Sequence, residues 1–284
     1  MAKLSDTERA AIIRTVHDAY MEVFPTSTIE ERLNVLSPSA YVAVTCSPSK
    51  GIDVTLDMTE RLVARGFCVV PHLAAKMVRD KKHLAEIMAR LKDLEVKSIF
   101  VPGGDAKLPS GDYKTAFELL RDIAEFDHDF LHIGVAAHPE GHPNVEDDVL
   151  LQELERKQPL ANYLVTQMCF DAKALGAWLY AIRDRGIDLP AWIGIPGVAD
   201  LKSLLLTSMR IGVGDSLRFL RKQTRLATLL FRSKAYTPEQ LLLELAPQLA
   251  DPACKVAGHH IYCFNQVERS ENWRKQFLES LTAE

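Results

Sequence analysis

Short apolar runs rich in β-branched and aromatic residues alternate along the chain with longer segments whose apolar residues repeat at helical spacing. The short runs predict strands and the longer segments predict amphipathic helices, because side chains alternate faces along a strand and recur every three or four residues on one face of a helix. The pattern predicts eight strands, at Tyr20–Phe24, Tyr41–Thr45, Cys68–Val70, Ser98–Val101, His132–Ala136, Tyr163–Thr166, Trp192–Ile195 and His260–Phe264.

The helical segments connect these strands. They are predicted at Thr55–Arg65, His83–Leu94, Tyr113–Glu125, Val145–Lys157, Ala172–Arg185 and Leu201–Ile211. The first seven strands begin about 20 to 35 residues apart, which is the length that a right-handed crossover between parallel strands needs. Eight such units predict an α/β protein, with one (β/α)8 TIM barrel as a single domain over residues 1–284.

Two additions to the barrel are predicted. An N-terminal helix over Ser5–Ala19 precedes the first strand, and Ser5 and Glu8 have the spacing of a capping box. The interval before the last strand is much longer than the others, and its pattern predicts extra helices at Asp215–Arg232 and Pro238–Leu249.

Composition and charge narrow the class of protein. The chain has 284 residues, of which 47% are hydrophobic and 25% charged, and its formal net charge is -4. Such a chain buries a large core and presents no broad positive field for nucleic acid or anionic lipid. No uninterrupted apolar run approaches the roughly 18 residues of a membrane span, and the five cysteines form no C-x-x-C pair. We therefore expect a cytoplasmic protein with reduced cysteines that acts on small molecules.

Polar residues fall at or just after the predicted strand ends, where the chemistry of a TIM barrel is located. They are Glu22, Thr45, His72, Asp105, His138, His142, Gln167 and Tyr262. The segment His259–Tyr262 is interpreted as a core strand in which one or two side chains point a polar group into the barrel. A ring of hydrogen-bonding groups around one end of the barrel is the prediction.

Both carboxyl residues in this set, Glu22 and Asp105, have more than one interpretation. Glu22 lies in an apolar run, where an unpartnered carboxylate is costly and desolvation favours the protonated form that a general acid needs. A structural carboxyl group bonded to a neighbouring strand or loop is the alternative. Asp105 follows Gly103 and Gly104, which suits either close approach of the backbone to a ligand or an ordinary turn.

The histidines leave a different class of function open. His72, His138 and His142 could hold a metal ion in a metal-dependent lyase or hydrolase, since histidines at strand ends build many hydrolytic barrels. The same side chains can instead donate hydrogen bonds to phosphate or ring oxygens of an organic ligand. On the second interpretation the site holds no metal.

Nine short stretches occur in an order and spacing that together are more specific than any one of them. They are Met21–Pro25, Val42–Thr45, Pro71–Leu73, Gly104–Asp105, Val135–Pro143, Leu154–Lys157, Thr166–Asp171, Ile195–Gly197 and Tyr262–Asn265. With these stretches the chain resembles the methylenetetrahydrofolate reductase family over nearly the whole barrel. The resemblance implies reduction of 5,10-methylenetetrahydrofolate to 5-methyltetrahydrofolate with NADH or NADPH.

The same resemblance implies roles for particular residues. Glu22 matches the general acid that opens the folate ring to an iminium cation, and Asp105 matches a carboxylate near the pterin. Gln167 matches an amide that contacts folate and nicotinamide, and Tyr262 is a further substrate-binding position. A folate-binding barrel that has lost reduction is the alternative from a non-enzymatic class.

FAD is the usual hydride carrier of the family, and the resemblance implies a set of flavin-contacting positions. They are Thr45, His72, Gly104, Asp105, Tyr113, Ala137, His138, His142, Arg156 and Lys157. Three departures fall in this region: Gly103 replaces an arginine, His138 replaces an aromatic residue, and the stretch from His142 to Lys157 is two residues shorter. The insert at 212–249 also departs from the family pattern. A flavin-free version, with hydride passing directly from nicotinamide to folate, is therefore an alternative.

Overall fold

The computed structural model describes residues 4–142, 145–200 and 235–283. Its main sheet has eight parallel strands, and two short antiparallel strands pair with each other beside it. In chain order the strands are β1 Tyr20–Val23, β2 Tyr41–Val44, β3 Cys68–Pro71, β4 Ser98–Val101, β5 His132–Ala137, β6 Tyr163–Thr166, β7 Ala191–Pro196, β8 Ala199–Asp200, β9 Ala235–Tyr236 and β10 Val256–Tyr262.

The sheet closes into the predicted TIM barrel. Its strand order is β3-β2-β1-β10-β7-β6-β5-β4, so the last strand pairs with the first. The remaining gap between β3 and β4 is closed by a parallel bridge between His72 and Phe100, where the Leu73 amide donates to the Phe100 carbonyl over 2.8 Å. The fold class expected from the strand and helix pattern is thereby confirmed.

Helices connect the strands. They are α1 Asp6–His17, α2 Ile29–Arg32, α3 Gly51–Ala64, α4 Lys81–Asp93, α5 Ala116–Ile123, α6 Asp147–Lys157, α7 Ala172–Asp184, α8 Glu239–Glu244, α9 Ala246–Ala250 and α10 Val267–Thr282. The capping box of α1 is present: the Ser5 backbone amide donates to Glu8, and the Glu8 amide donates to the Ser5 hydroxyl. The predicted helices Leu201–Ile211 and Asp215–Arg232 lie outside the described residues.

Two boundaries differ from the prediction for local reasons. The predicted helix Pro238–Leu249 is two short helices, and Pro247, which cannot donate a backbone hydrogen bond, lies in the first turn of the second. The last strand begins at Val256 and ends before Phe264, because Phe264 and Asn265 have the positive φ angles of 51° and 60° that strands exclude.

The apolar side chains of the strands separate into two sets. Met21 and Val23 join the large core between the strands and the helices, whereas Tyr20 belongs to a smaller cluster inside the barrel. That inner cluster consists of Tyr20, Ala43, Val70, Phe100, Tyr163 and Val165, with Ala136 and Trp192 packed against it. Because strand side chains alternate, Glu22 lies on the same inward face as Tyr20.

Glycines on two strands make room for the aromatic rings of this inner cluster. A Cβ atom on Gly134 would lie 2.3 Å from the Tyr163 ring, and one on Gly258 would lie 2.4 Å from the Trp192 ring. Real side-chain contacts are not this short, so the rings would have to move. The inner cluster therefore depends on the absence of side chains at these two positions.

Within the described part of the chain, no helix combines the length and apolar character that crossing a bilayer requires.

We expect Gly134→Ala to destabilise the barrel by about 1–3 kcal/mol, the usual effect of overpacking a core. Chemical denaturation measures the free energy of unfolding. Gly103→Ala is the matched control, because no heavy atom lies within 4 Å of the Cβ it would add. Equal denaturation midpoints for the two variants would contradict the packing argument.

Candidate active site

The Glu22 carboxyl group is buried at the centre of the candidate site, with 8% of the residue exposed. Its Oε2 atom lies 2.9 Å from His260 Nε2, a hydrogen bond between inward-facing side chains of the neighbouring strands β1 and β10. The same oxygen lies 4.0 Å from His72 Nε2, just past the end of β3. One carboxyl group and two imidazoles therefore converge on one point inside the barrel.

Several polar atoms around this point have no hydrogen-bond partner. Among the buried side-chain atoms of the described residues, they include Thr45 Oγ1, His72 Nε2 and His260 Nδ1. Burial lowers the pKa of His72 to about 4, with the nearby His260 acting in the same direction and the Glu22 charge opposing it. His72 is therefore neutral at pH 7, and Thr45 and His72 can bond a polar ligand at the ends of β2 and β3.

Tyr262 lies next to this group and is oriented by a backbone contact. Its hydroxyl donates to the Thr166 carbonyl over 3.0 Å, and its ring centroid lies 5.0 Å from that of His260. A Cβ atom on Gly194 would lie 2.7 Å from the Tyr262 ring, so the ring packs against β7 only because Gly194 has no side chain. Burial raises the pKa of Tyr262 well above its ordinary value, which keeps the hydroxyl protonated as a donor.

Gln167 follows β6, one residue after the carbonyl that accepts from Tyr262. Its backbone amide donates to the Ala137 carbonyl over 2.7 Å, and its side-chain Oε1 accepts from the Met168 amide over 2.8 Å. The local hydrogen bond occupies the amide oxygen, so the side-chain NH₂ group is the part suited to bind a ligand acceptor.

Asp105 is positioned differently from Glu22. It lies in the loop after β4 and is exposed, whereas Glu22 is buried. Gly104 before it has a φ of +90°, a left-handed conformation that glycine adopts without steric cost. A Cβ atom there would also lie 3.1 Å from the Ala74 Cβ atom. The turn after β4 thus depends on Gly104 and presents the Asp105 carboxyl group at the surface.

A cluster of nitrogen-bearing side chains follows β5. The rings of His138 and His142 meet edge to face with centroids 5.4 Å apart, and the buried Lys157 Nζ donates to the Ala136 carbonyl over 3.1 Å. Burial lowers the pKa of Lys157 to about 8 and, together with His142 and Lys157, lowers that of His138 to about 4. At neutral pH the cluster therefore combines a lysine charge with a neutral His138.

Two of the positions matched to flavin contacts have their polar groups engaged within the protein. The Tyr113 hydroxyl donates to the Asp122 carboxylate over 2.9 Å. The Arg156 guanidinium pairs with Glu153 and lies 4.1 Å from the centroid of the Phe117 ring. Both side chains therefore already have protein partners, with which a ligand at these positions would share or compete.

The predicted metal ligands do not come together. Among the described residues, the one group of three or more side chains with metal-binding geometry is Glu22, His72 and His260, with ligand atoms all within 4.8 Å of one another. His138 and His142 do not belong to it, because they follow β5, which β4 separates from the strand that precedes His72. The alternative in which His72, His138 and His142 together hold a metal ion is therefore wrong.

His260 is the site residue that the sequence pattern missed. The pattern indicated only one or two inward polar tips in His259–Tyr262. Two signals pointed to His260: it lies two residues before Tyr262, on the same face of the strand, and closure of the barrel pairs the last strand with the first. Register places Glu22 opposite Tyr262 and Tyr20 opposite His260.

The closed parallel barrel and the polar residues at its strand ends define a TIM-barrel protein with an enzyme-like site. A family profile described as methylenetetrahydrofolate reductase matches residues 24–212. The chain belongs to this family.

Curated relatives match a shorter stretch. Methylenetetrahydrofolate reductase 1 of Schizosaccharomyces pombe is 32% identical over 103 residues, which cover 36% of this chain and 17% of the yeast protein. Methylenetetrahydrofolate reductase 2 of Saccharomyces cerevisiae is 32% identical over 92 residues, which cover 31% of this chain and 15% of that protein. The matched part is thus less than a fifth of either relative.

One solved structure covers nearly the whole chain at lower sequence identity. A crystal structure from Burkholderia cenocepacia J2315, provisionally described as a lyase/mutase, covers 98% of this chain and 87% of its own. The sequence identity is 13% and the TM-score 0.49.

The neutral His138 predicts a loss of stability in acid. A histidine in the unfolded chain titrates near 6.5 and His138 near 4, so between these values the unfolded state binds more protons. We expect its contribution to be complete above pH 6.5 and to be lost as pH falls towards 4, by no more than about 1.4 kcal/mol per pH unit. Denaturation across this range measures it.

His138→Tyr, which restores an aromatic residue without this titration, is expected to reduce that slope. The exposed His132→Gln is the matched control and should leave it unchanged. An unaltered slope in His138→Tyr would show that another group causes the acid dependence.

Proposed function

We propose that this chain reduces 5,10-methylenetetrahydrofolate to 5-methyltetrahydrofolate with NADH or NADPH. The observation that carries the proposal is the Glu22 carboxyl group, buried inside the barrel of a chain from this family and 2.9 Å from His260. The single-domain organisation over residues 1–284 and the cytoplasmic location remain predictions from the sequence.

The first chemical step is opening of the folate ring. The bridging methylene is a poor electrophile while bonded to both N5 and N10. In the proposal the protonated Glu22 gives its proton to N10, the bond between the methylene carbon and N10 breaks, and an N5 iminium cation forms. The resulting carboxylate accepts a hydrogen bond from His260 Nε2, which stabilises the charge left on Glu22.

The second step is addition of hydride to the iminium carbon. Nicotinamide supplies two electrons and one hydrogen, so NAD(P)H and the proton from Glu22 together give the N5-methyl product and NAD(P)⁺. Thr166 at the end of β6 is fully buried and Glu22 nearly so, which supports a site with little water to hydrolyse the cation.

Gln167, Tyr262 and Asp105 are assigned binding roles. The NH₂ group of Gln167 can donate to an acceptor on the pterin edge. The Tyr262 ring, held by its hydrogen bond to Thr166, can pack against the pterin beside Glu22. Asp105 supplies a negative charge from the loop after β4, and such a charge favours a cationic intermediate that approaches it.

FAD would supply a hydride carrier between nicotinamide and folate. Some of the positions matched to flavin contacts suit it, and others do not. Thr45 Oγ1 and His72 Nε2 are buried without partners and suit a polar ring at the strand ends, and Lys157 supplies a positive charge. Tyr113 and Arg156 are engaged within the protein, and Gly103 offers no guanidinium. The positions matched to the flavin ring offer more unoccupied polar atoms than the positions matched to the remainder of the cofactor, so the proposed steps do not include it.

We therefore expect the purified protein to carry less than one FAD per chain and to retain nicotinamide-dependent turnover without it. An absorption spectrum of the protein and of its denatured supernatant measures the flavin content. Turnover is then compared before and after removal of residual flavin and after addition of FAD. Stoichiometric FAD together with loss of turnover on its removal would establish the flavin-dependent version instead.

Glu22→Gln is expected to lower folate-dependent NAD(P)H oxidation by about 10²-fold or more, the usual contribution of general acid catalysis. Folate binding, measured by calorimetry, should persist because the amide keeps the shape of the side chain. The exposed Glu31→Gln is the control for loss of one carboxyl group. Normal turnover in Glu22→Gln would refute the acid assignment. If the unaltered chain binds folate but turns over with neither NADH nor NADPH, the non-reducing alternative is supported.

A further inference from the structure

The convergence of Glu22, His72 and His260 has a second chemical consequence. We propose that these three side chains form a binding site for one borderline divalent transition-metal ion, represented by Zn²⁺. Two imidazole nitrogens and one carboxylate oxygen, with a fourth position open, are a ligand set that such an ion prefers.

The distances match this coordination closely. Glu22 Oε2 lies 2.9 Å from His260 Nε2 and 4.0 Å from His72 Nε2. Tetrahedral bonds of about 2.0–2.1 Å to zinc place neighbouring ligand atoms roughly 3.3 Å apart. The first distance is shorter than that value and the second is longer, and all three ligand atoms lie within 4.8 Å of one another. Side-chain shifts on the order of 1 Å would therefore complete three of the four bonds.

An unsatisfied atom points to a ligand at this position. His72 Nε2 is buried and has no hydrogen-bond partner, although it is the ring atom nearest to Glu22. A buried nitrogen without a partner carries a desolvation cost that a metal bond would remove. The three side chains come from β1, β10 and the residue after β3, so closed sheet structure fixes the backbone of each ligand.

The hydrogen bonds available to the proposed ligands limit the affinity of the site for zinc. A metal-bound histidine usually donates its other ring N–H to a carboxylate or carbonyl group, and His260 Nδ1 has no such partner. The site is therefore expected to bind zinc reversibly and more weakly than a structural zinc site. Because the metal occupies the carboxylate oxygen, a filled site cannot deliver the proton for ring opening, and Zn²⁺ acts as an inhibitor. This inhibition, unlike zinc binding itself, rests on the proposed function.

The test is direct measurement of zinc binding by the full chain, after chelator treatment, with equilibrium dialysis and a competing chromophoric chelator. We expect one Zn²⁺ per chain in the unaltered protein. His72→Gln should weaken binding by at least about tenfold, because loss of even an outer-shell partner usually costs 10- to 100-fold. His132→Gln removes an exposed histidine and should leave binding unchanged.

Cobalt provides a second readout that does not depend on a folded variant. Co²⁺ added to the unaltered chain should give visible absorption bands of a low-symmetry site, and one equivalent of Zn²⁺ should abolish them. Failure to bind Zn²⁺, or equal affinity in His72→Gln and His132→Gln, would overturn the proposal. Zinc binding by a chain without reductase activity would leave the metal site standing and refute only the proposed function, whereas a reductase that binds no zinc would do the reverse.

Discussion

The hydrogen bond between Glu22 and His260 depends on closure of the barrel, and the rest of the site depends on that bond. The two residues are 238 positions apart in the chain and meet only because β10 pairs with β1. A buried carboxyl group without a partner is strongly destabilising, so its position inside the barrel requires the imidazole on the neighbouring strand. Closure thus supplies the partner that a carboxyl group in an apolar strand requires.

The interior of the barrel divides into an apolar part and a polar part. Tyr20, Tyr163 and Trp192 belong to or pack against the inner apolar cluster, and Gly134 and Gly258 leave room for two of these rings. Two residues further along β1, the inward position is occupied by Glu22. A densely packed base of this kind restricts the movement of the side chains next to it, which is what a site needs to hold reacting groups in place.

Much of the fold followed from local pattern, since the eight strands and most helices lie within a few residues of their predicted limits. Glu22 was also accessible, because a carboxyl residue in an apolar strand requires an explanation. His260 was missed although it shares a strand face with Tyr262, because its partner is fixed by barrel closure and strand register rather than by neighbours in the chain. The pair between Glu153 and Arg156 could have been read from the predicted helix, since the two residues are three positions apart, whereas the bond from Tyr113 to Asp122 depends on how the segment before α5 folds onto that helix.

The most direct test of the central claim is a crystal structure of the chain with the folate substrate or a stable analogue bound. The account predicts that the Glu22 carboxyl group lies within hydrogen-bonding distance of N10, roughly 2.6–3.2 Å or through one water, with the bond to His260 retained. A pterin bound elsewhere, with Glu22 and His260 in contact only with each other, would contradict it.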